Sequence, residues 1–137
     1  MLRLVLDTNV LISAFGWKGP SNQIFQKIVD GEFELAISKR QLEELERVLS
    51  YHRLKFTDDQ KERFLAIVCE VAAVVETSGA INVIKEDPDD NVILESAIVA
   101  GANFIVSGDP DLLNLKEFNG IKIVKPREFV EIFNKKP

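Results

Sequence analysis

Leu2-Arg3-Leu4-Val5-Leu6-Asp7-Thr8-Asn9-Val10-Leu11-Ile12-Ser13 is a short apolar run cut off by an acid, after which the pattern changes period. Leu2, Leu4, Val5 and Leu6 are too few for a helix and rich in branched side chains, so they read as a buried strand. Thr8, Asn9 and the apolar Val10-Leu11-Ile12 then begin a helix. Asp7 therefore stands where a strand hands over to a helix, and in open α/β sheets that edge is where ligands bind. The plainest role for Asp7 is to cap the helix that follows. A functional role gains weight because carboxylates recur at equivalent junctions downstream.

The same alternation continues along the chain. Gly16 to Ser21 is a loop by its glycines and proline. Pro20 suits the first turn of a helix carrying Ile24, Phe25, Ile28 and Val29, which Asp30-Gly31 stops. Phe33 to Ile37 reads as a second strand. Ser38 caps a third helix, whose buried stripe is Leu42, Leu45, Val48 and Leu49. Ser50 to Phe56 is polar and basic. Thr57-Asp58-Asp59 opens a fourth helix with Phe64, Leu65, Ile67 and Val68, followed by a third strand over Val71 to Val75. A loop spans Thr77 to Glu86. Asp87-Pro88-Asp89-Asp90 starts a helix carrying Ile93, Leu94, Ala97, Ile98 and Ala100, which Gly101 ends. Asn103 to Ser107 is a fourth strand, Leu112 to Phe118 a short helix, and Ile121 to Val124 a fifth strand. Pro126 opens the last helix, and Lys135-Lys136-Pro137 is a frayed tail. Strands alternating with helices predict an α/β fold with a central five-stranded parallel sheet and helices on both faces.

At 137 residues the chain is expected to form one domain over 1–137. A chain of this size buries roughly 70% of its unfolded surface, so a core forms without disulfide or metal staples. The single cysteine, Cys69, cannot form an internal disulfide and reads as a small buried hydrophobe, which fits a reducing, cytoplasmic setting. The apolar start lacks a basic leader and carries Asp7 in its middle, so no signal peptide is expected. No apolar run is long enough to cross a bilayer. A net charge of −5 is unlike a typical nucleic-acid binder, but clustered acids loaded with divalent cations would change that balance.

Four carboxylates stand out by position: Asp7 after the first strand, Glu44 in the helix after the second, Asp90 in the first turn of the helix before the fourth, and Asp109 after the fourth. Asp90 shares a helix face with Ile93, Leu94 and Ala97, so it points toward the sheet. Asp87 and Asp89 are better read as complementing the helix dipole. Periodicity does not separate Glu44 from Glu43 and Glu46. Ser107 could hydrogen-bond one of the acids, and Asp111 reads as a cap or support. Crowded carboxylates repel unless protons or cations compensate. Hard cations such as Mg²⁺ and Mn²⁺ prefer oxygen ligands, and two of them roughly 3.5–4 Å apart can open a phosphodiester. There is no histidine and cysteine cluster for zinc, and the sole histidine, His52, reads as a surface residue. The calcium-loop pattern fails, with Val92 at its glycine position and Ile98 at its glutamate position. Neither phosphate-binding glycine pattern occurs.

Leu6-Asp7-Thr8-Asn9-Val10, Glu44-Leu45, Asp87-Pro88-Asp89-Asp90-Asn91 and Ser107-Gly108-Asp109-Pro110-Asp111-Leu112-Leu113 together resemble a PIN domain. The likeness is to small single-domain prokaryotic PIN proteins classed as toxins of toxin–antitoxin systems and related to VapC. It covers essentially the whole chain. It implies a three-layer fold and a Mg²⁺- or Mn²⁺-dependent endoribonuclease. It selects Glu44 over its neighbours, making Asp7, Glu44, Asp90 and Asp109 the acidic quartet. Asn9 and Ser107 match accompanying polar positions, and Asp111 an accessory one. A homodimer and a small antitoxin partner are also implied.

The expected mechanism has Asp7, Asp90 and Asp109 hold metal while Glu44 completes the shell or orients the attacking water. Single-stranded or looped RNA is the expected substrate. Lys39, Arg40, Arg47, Arg53 and Lys55 are candidates for its backbone, although each alone also suits a solvated face. Trp17 could stack a base, but packing suits it better. Two other classes compete: a PIN-like module that binds RNA or protein without cutting, and a receiver-like Mg²⁺ phosphoacceptor. A receiver wants an acidic pair after the first strand and an aspartate after the third. This chain has Asp7 alone and Glu76-Thr77-Ser78. A haloacid-dehalogenase-type phosphatase wants a second aspartate where Asn9 stands.

Overall fold

The computed structural model describes residues 1–84 and 88–134. Its strands are β1 (Arg3–Leu6), β2 (Glu34–Ser38), β3 (Ala72–Val75), β4 (Phe104–Val106), β5 (Glu117–Phe118) and β6 (Ile121–Val124). Its helices are α1 (Thr8–Gly16), α2 (Pro20–Val29), α3 (Lys39–Leu49), α4 (Asp58–Val71), α5 (Pro88–Ala100), α6 (Pro110–Leu113) and α7 (Pro126–Asn134). A single 3₁₀ turn, His52–Leu54, lies in the basic segment. Asp87 and the tail from Lys135 lie outside the described residues.

The sheet order is β3-β2-β1-β4-β6-β5. The first five strands in that order are mutually parallel. From β1 the chain moves outward through β2 to β3, then returns to lay β4 on the other side of β1. The strand order thus reverses between β1 and β4, the place where open α/β sheets bind ligands. In register, Leu6 lies opposite Val106, so the residues that follow these two strands emerge side by side.

Alternation along each strand sorts side chains into two layers. Leu4, Leu6, Leu35, Ile37 and Val106 enter one core with Leu11, Ile24, Phe25, Leu45, Phe64 and Phe129 from the helices on that face. Val5, Ala36, Ile105, Ile121 and Ile123 enter the other core with Ile93, Leu94, Ala97 and Leu112. Helices α1, α2, α3, α4 and α7 therefore cover one face, and α5 and α6 the other. This is the three-layer α/β architecture the sequence predicts.

Three expectations need correction. A helix from Leu112 to Phe118 does not form. Helix α6 ends at Leu113, and Glu117–Phe118 is instead a sixth strand, antiparallel to β6. Its turn is Asn119-Gly120, with φ of 51° and 81°. Asparagine and glycine tolerate the positive φ that a two-residue hairpin turn demands. Cys69 is exposed rather than buried. On α4 the buried residues are Phe64 and Val68, one turn apart, and Cys69 is out of phase with them. Trp17 is 56% exposed and meets Phe56 only edge-on, at 6.3 Å.

Phe129 joins α7 to the sheet. It is fully buried and meets Phe33, Phe104 and Phe133 at ring separations of 5.4, 5.1 and 5.7 Å. Phe129→Ala should lower unfolding stability by about 3–5 kcal/mol, the cost of a large aromatic void. Urea denaturation followed by circular dichroism measures it.

Candidate active site

The acidic site grows from helix caps. Asp7 follows β1 in extended conformation, and its Oδ1 accepts the Val10 N–H at 2.9 Å to cap α1. Asp109 does the same after β4, accepting the Asp111 N–H at 2.9 Å to cap α6. Ser38 at the end of β2 accepts the Gln41 N–H and so starts α3, the helix that carries Glu44. Gln41 then ties α3 to β1, its Nε2 donating to the Leu6 carbonyl at 2.7 Å. Capping and site-building are thus not alternatives for Asp7. The cap points a carboxylate along the strand ends, where the helix's free N–H groups favour negative charge.

One cavity of about 90 Å³ is lined by Asp7, Thr8, Asn9, Glu44, Asp89, Asp90, Ile93 and Asp109. All four carboxylates singled out in the sequence stand in its wall. A space this small suits a few waters or hydrated ions, since one water occupies roughly 30 Å³; it is too small for a typical metabolite pocket. Asp90 is buried, as its phase with Ile93, Leu94 and Ala97 predicts. Asp89, expected to do no more than complement the helix dipole, also reaches the wall.

Ser107 links the two strand-end acids. Its hydroxyl donates to Asp7 Oδ2, and its Oγ accepts the Asp109 N–H at 2.9 Å. Burial pushes the Asp7 carboxyl above its ordinary range. The Ser107 hydroxyl and the Val10 and Asn9 amides oppose that push, while the Asp109 charge adds to it. Asp7 is only 6% exposed, so it feels the absence of water directly.

Among the described residues, Asp90, Asp109 and Asp111 offer carboxylate oxygens within 4.8 Å of one another, close enough to share one cation. The set contains oxygen donors only, which fits a hard divalent ion. Asp7 faces the same cavity without belonging to that triad. Asn9 is exposed in the cavity wall, and it also lines an adjoining space of about 430 Å³ with Asp7, Gly108, Asp109 and Pro110.

Among the described residues, none of Lys39, Arg40, Arg47 and Arg53 lines the acidic cavity. Lys39 and Arg40 border a separate cavity with Glu43, Glu76 and Thr77. Arg47 is exposed on α3. Arg53 stacks over Tyr51, 5.6 Å from its ring centre, and Lys55 is exposed beside it. His52 is exposed, as expected. Glu76, the acid after β3, faces away from the acidic cavity, and β3 is an edge strand. The receiver arrangement, with a phosphoacceptor after the third strand beside the first-strand acid, is therefore not formed.

Asn91, the last residue of the Asp87–Asn91 motif, and Glu95 are further buried polar residues on α5 to which the sequence assigns no role. Their i, i+4 spacing inside an apolar helix was the available signal.

The family model described as "PIN domain" matches residues 3–111. The chain belongs to the PIN domain family. Among solved structures, it is similar to VapBC2 from Rickettsia felis bound to a DNA fragment from their promoter. That match has 15% identity and a TM-score of 0.61, covering 89% of this chain and 97% of that one. It is also similar to PAE2754 from Pyrobaculum aerophilum, with 19% identity and a TM-score of 0.62, covering 98% of this chain and 91% of that one. At these identities the likeness is one of fold. No curated protein matches the chain in sequence. Among the described residues, no helix is long and apolar enough to cross a membrane.

The raised pKa of Asp7 is open to test. Between the unperturbed value of 3.8 and the higher folded value, the folded protein holds this proton more tightly than the unfolded chain. Stability from this group is therefore lost as pH rises through that window. Asp7→Asn removes the charge and keeps a good capping side chain. In chelator at pH 7 the variant should melt above wild type, and the gap should close as pH falls toward 4. A variant that melts lower at pH 7 would contradict the burial argument.

Proposed function

We propose that this PIN domain is a divalent-metal-dependent endoribonuclease, acting on single-stranded or looped RNA as the toxin of a toxin–antitoxin pair. The observation that carries the reading is one small cavity, at the reversal of strand order, walled by Asp7, Glu44, Asp90 and Asp109. Membership of the PIN family and the fold shared with VapBC2 support it.

In this reading Asp90 and Asp109 would hold the ion, with Asp111 the third carboxylate within reach and Asp7 in the same cavity wall. A Mg²⁺ or Mn²⁺ ion bound there supplies a water of lowered pKa and positive charge for the oxygens of a phosphodiester. The chain's own residues do the rest. Ser107 holds the Asp7 carboxylate against the Asp109 backbone, and the Asp111 N–H orients the Asp109 carboxylate, so both are set before RNA arrives. Glu44 faces the cavity from α3 and accepts a proton from the attacking water or orients it. Asn9, exposed at the rim, offers an amide to a phosphate oxygen.

Arg40 and Arg47 lie four residues before and three after Glu44, on the same face of α3. Among the described residues neither lines the cavity, and in this reading they take the phosphates on either side of the cut bond. Lys39 at the start of α3 and Arg53 in the turn beyond its end are further candidates for the RNA backbone. The adjoining space beside Gly108 and Pro110 leaves room for the chain to continue. The family likeness also supplies the rest of the proposal: a cytoplasmic homodimer whose site is closed by a small antitoxin protein.

The experiment is cleavage of labelled single-stranded RNA with Mg²⁺, Mn²⁺ or chelator. Metal-dependent cuts are expected, abolished by chelator and reduced at least about 100-fold in Asp90→Asn and Asp109→Asn, as loss of several kcal/mol of charge stabilisation requires. Cleavage that persists in chelator, or wild-type rates in both variants, would overturn the reading. Bound but uncut RNA would support the non-cutting module instead. For the basic face, Arg40→Ala with Arg47→Ala should raise KM, leave kcat within about threefold and reduce the slope of log KM against log salt by about one to two. An unchanged salt slope would remove these two from substrate binding.

A further inference from the structure

Helix α5 is buried from Asp90 through Ala97, and within that stretch Asn91 and Glu95 are polar and only 7% and 6% exposed. A buried carboxylate in an apolar helix is costly unless its oxygens are well supplied with donors. Here they are. Ser78 N–H donates to Glu95 Oε2, the Ser78 hydroxyl reaches the same oxygen at 3.1 Å, and Gly79 N–H reaches Oε1 at 2.9 Å. One turn earlier, Asn91 Oδ1 accepts the Val83 and Ile84 N–H groups at 3.0 and 2.8 Å. Its Nδ2 returns a bond to the Ile84 carbonyl at 2.6 Å.

The backbone they grip, 78–84, forms neither helix nor strand, so these side chains satisfy amides that regular structure leaves unserved. The grip also seats Ile84 in the second core. Burial alone pushes the Glu95 carboxyl up, but the Ser78, Gly79 and Ile81 donors together hold it below its ordinary range.

A plain loop anchor could sit anywhere along α5. This one sits on the two turns that begin the helix, and Asn91 is the chain neighbour of Asp90. The opposite end of α5 is held separately, by Arg3 Nη1 donating to the Ala100 carbonyl at 2.6 Å. We propose that Asn91 and Glu95 are positioning residues: by gripping the backbone of 78–84 they fix the first two turns of α5, and so set Asp90 against Asp109 for metal binding. This rests on the metal reading above. Residues that orient ligands from behind commonly change metal affinity by about 10–100-fold when altered.

The test is Mn²⁺ binding by titration calorimetry on the full chain, with amide hydrogen exchange as a second readout. Glu95→Gln keeps the shape but cannot accept at both oxygens. Asn91→Ala removes acceptor and donor together. Each should weaken Mn²⁺ binding at least about 10-fold; Glu95→Gln should speed exchange at Ser78 and Gly79, and Asn91→Ala at Val83 and Ile84. Arg3→Met, which frees the far end of the same helix, should lower the melting temperature and leave Mn²⁺ affinity within about twofold. Wild-type affinity in the two α5 variants, or equal weakening in Arg3→Met, would overturn the proposal. If either α5 variant fails to fold, the other decides. Wild-type protein that binds Mn²⁺ but leaves RNA intact would sink the nuclease reading alone. Wild-type protein with no Mn²⁺ affinity would overturn both.

Discussion

The site depends on one hydroxyl. Ser107 donates to the Asp7 carboxylate and accepts the Asp109 amide, bridging β1 and β4 where the strand order reverses. Two acids that face one cavity repel each other, and burial of Asp7 sharpens the repulsion. A donor placed between the strand ends offsets part of that cost without covering the cavity. It can be placed there because β1 and β4 are neighbours in register, Leu6 opposite Val106.

The remaining acids arrive by the same economy of parts. Each strand that feeds the site ends in a residue that caps the next helix: Asp7 for α1, Ser38 for α3, Asp109 for α6. Local folding therefore delivers side chains to the carboxyl edge of the sheet before any ligand is considered. Glu44 is brought in by α3, held to β1 through Gln41 and Leu6. Asp90 comes from the opposite layer, carried by the buried start of α5. Acids contributed from both faces close one small space at the edge of the sheet.

How far the residues alone foretold this follows from the range of each signal. The strand–acid–helix junctions at Asp7 and Asp109 were legible because they are local: period two gives way to period 3.6 at an acid. The inward face of Asp90 was legible because Ile93, Leu94 and Ala97 share it. Period does not single out Glu44, since Glu44 and Glu46 flank the same stripe on opposite sides while Glu43 points away; only the family likeness selects it. The antiparallel β5 was missed although Asn119-Gly120 is a strong hairpin signal, because the apolar Leu112, Leu113 and Leu115 suggested a longer helix. Cys69 was misplaced because an apolar neighbourhood in sequence is not an apolar face of a helix. The i, i+4 spacing of Asn91 and Glu95 inside an apolar helix marks them as a pair, but their role is not legible because their partners are backbone amides 7 to 17 residues away.

The central claim is that carboxylates far apart in the chain converge to hold a divalent cation. A crystal of the protein soaked in Mn²⁺ and measured for anomalous scattering addresses it directly. The account predicts a manganese peak in the acidic cavity, roughly 2.0–2.6 Å from carboxylate oxygens of both Asp90 and Asp109. An empty cavity at saturating Mn²⁺, or manganese bound only at other surface acids, would contradict it.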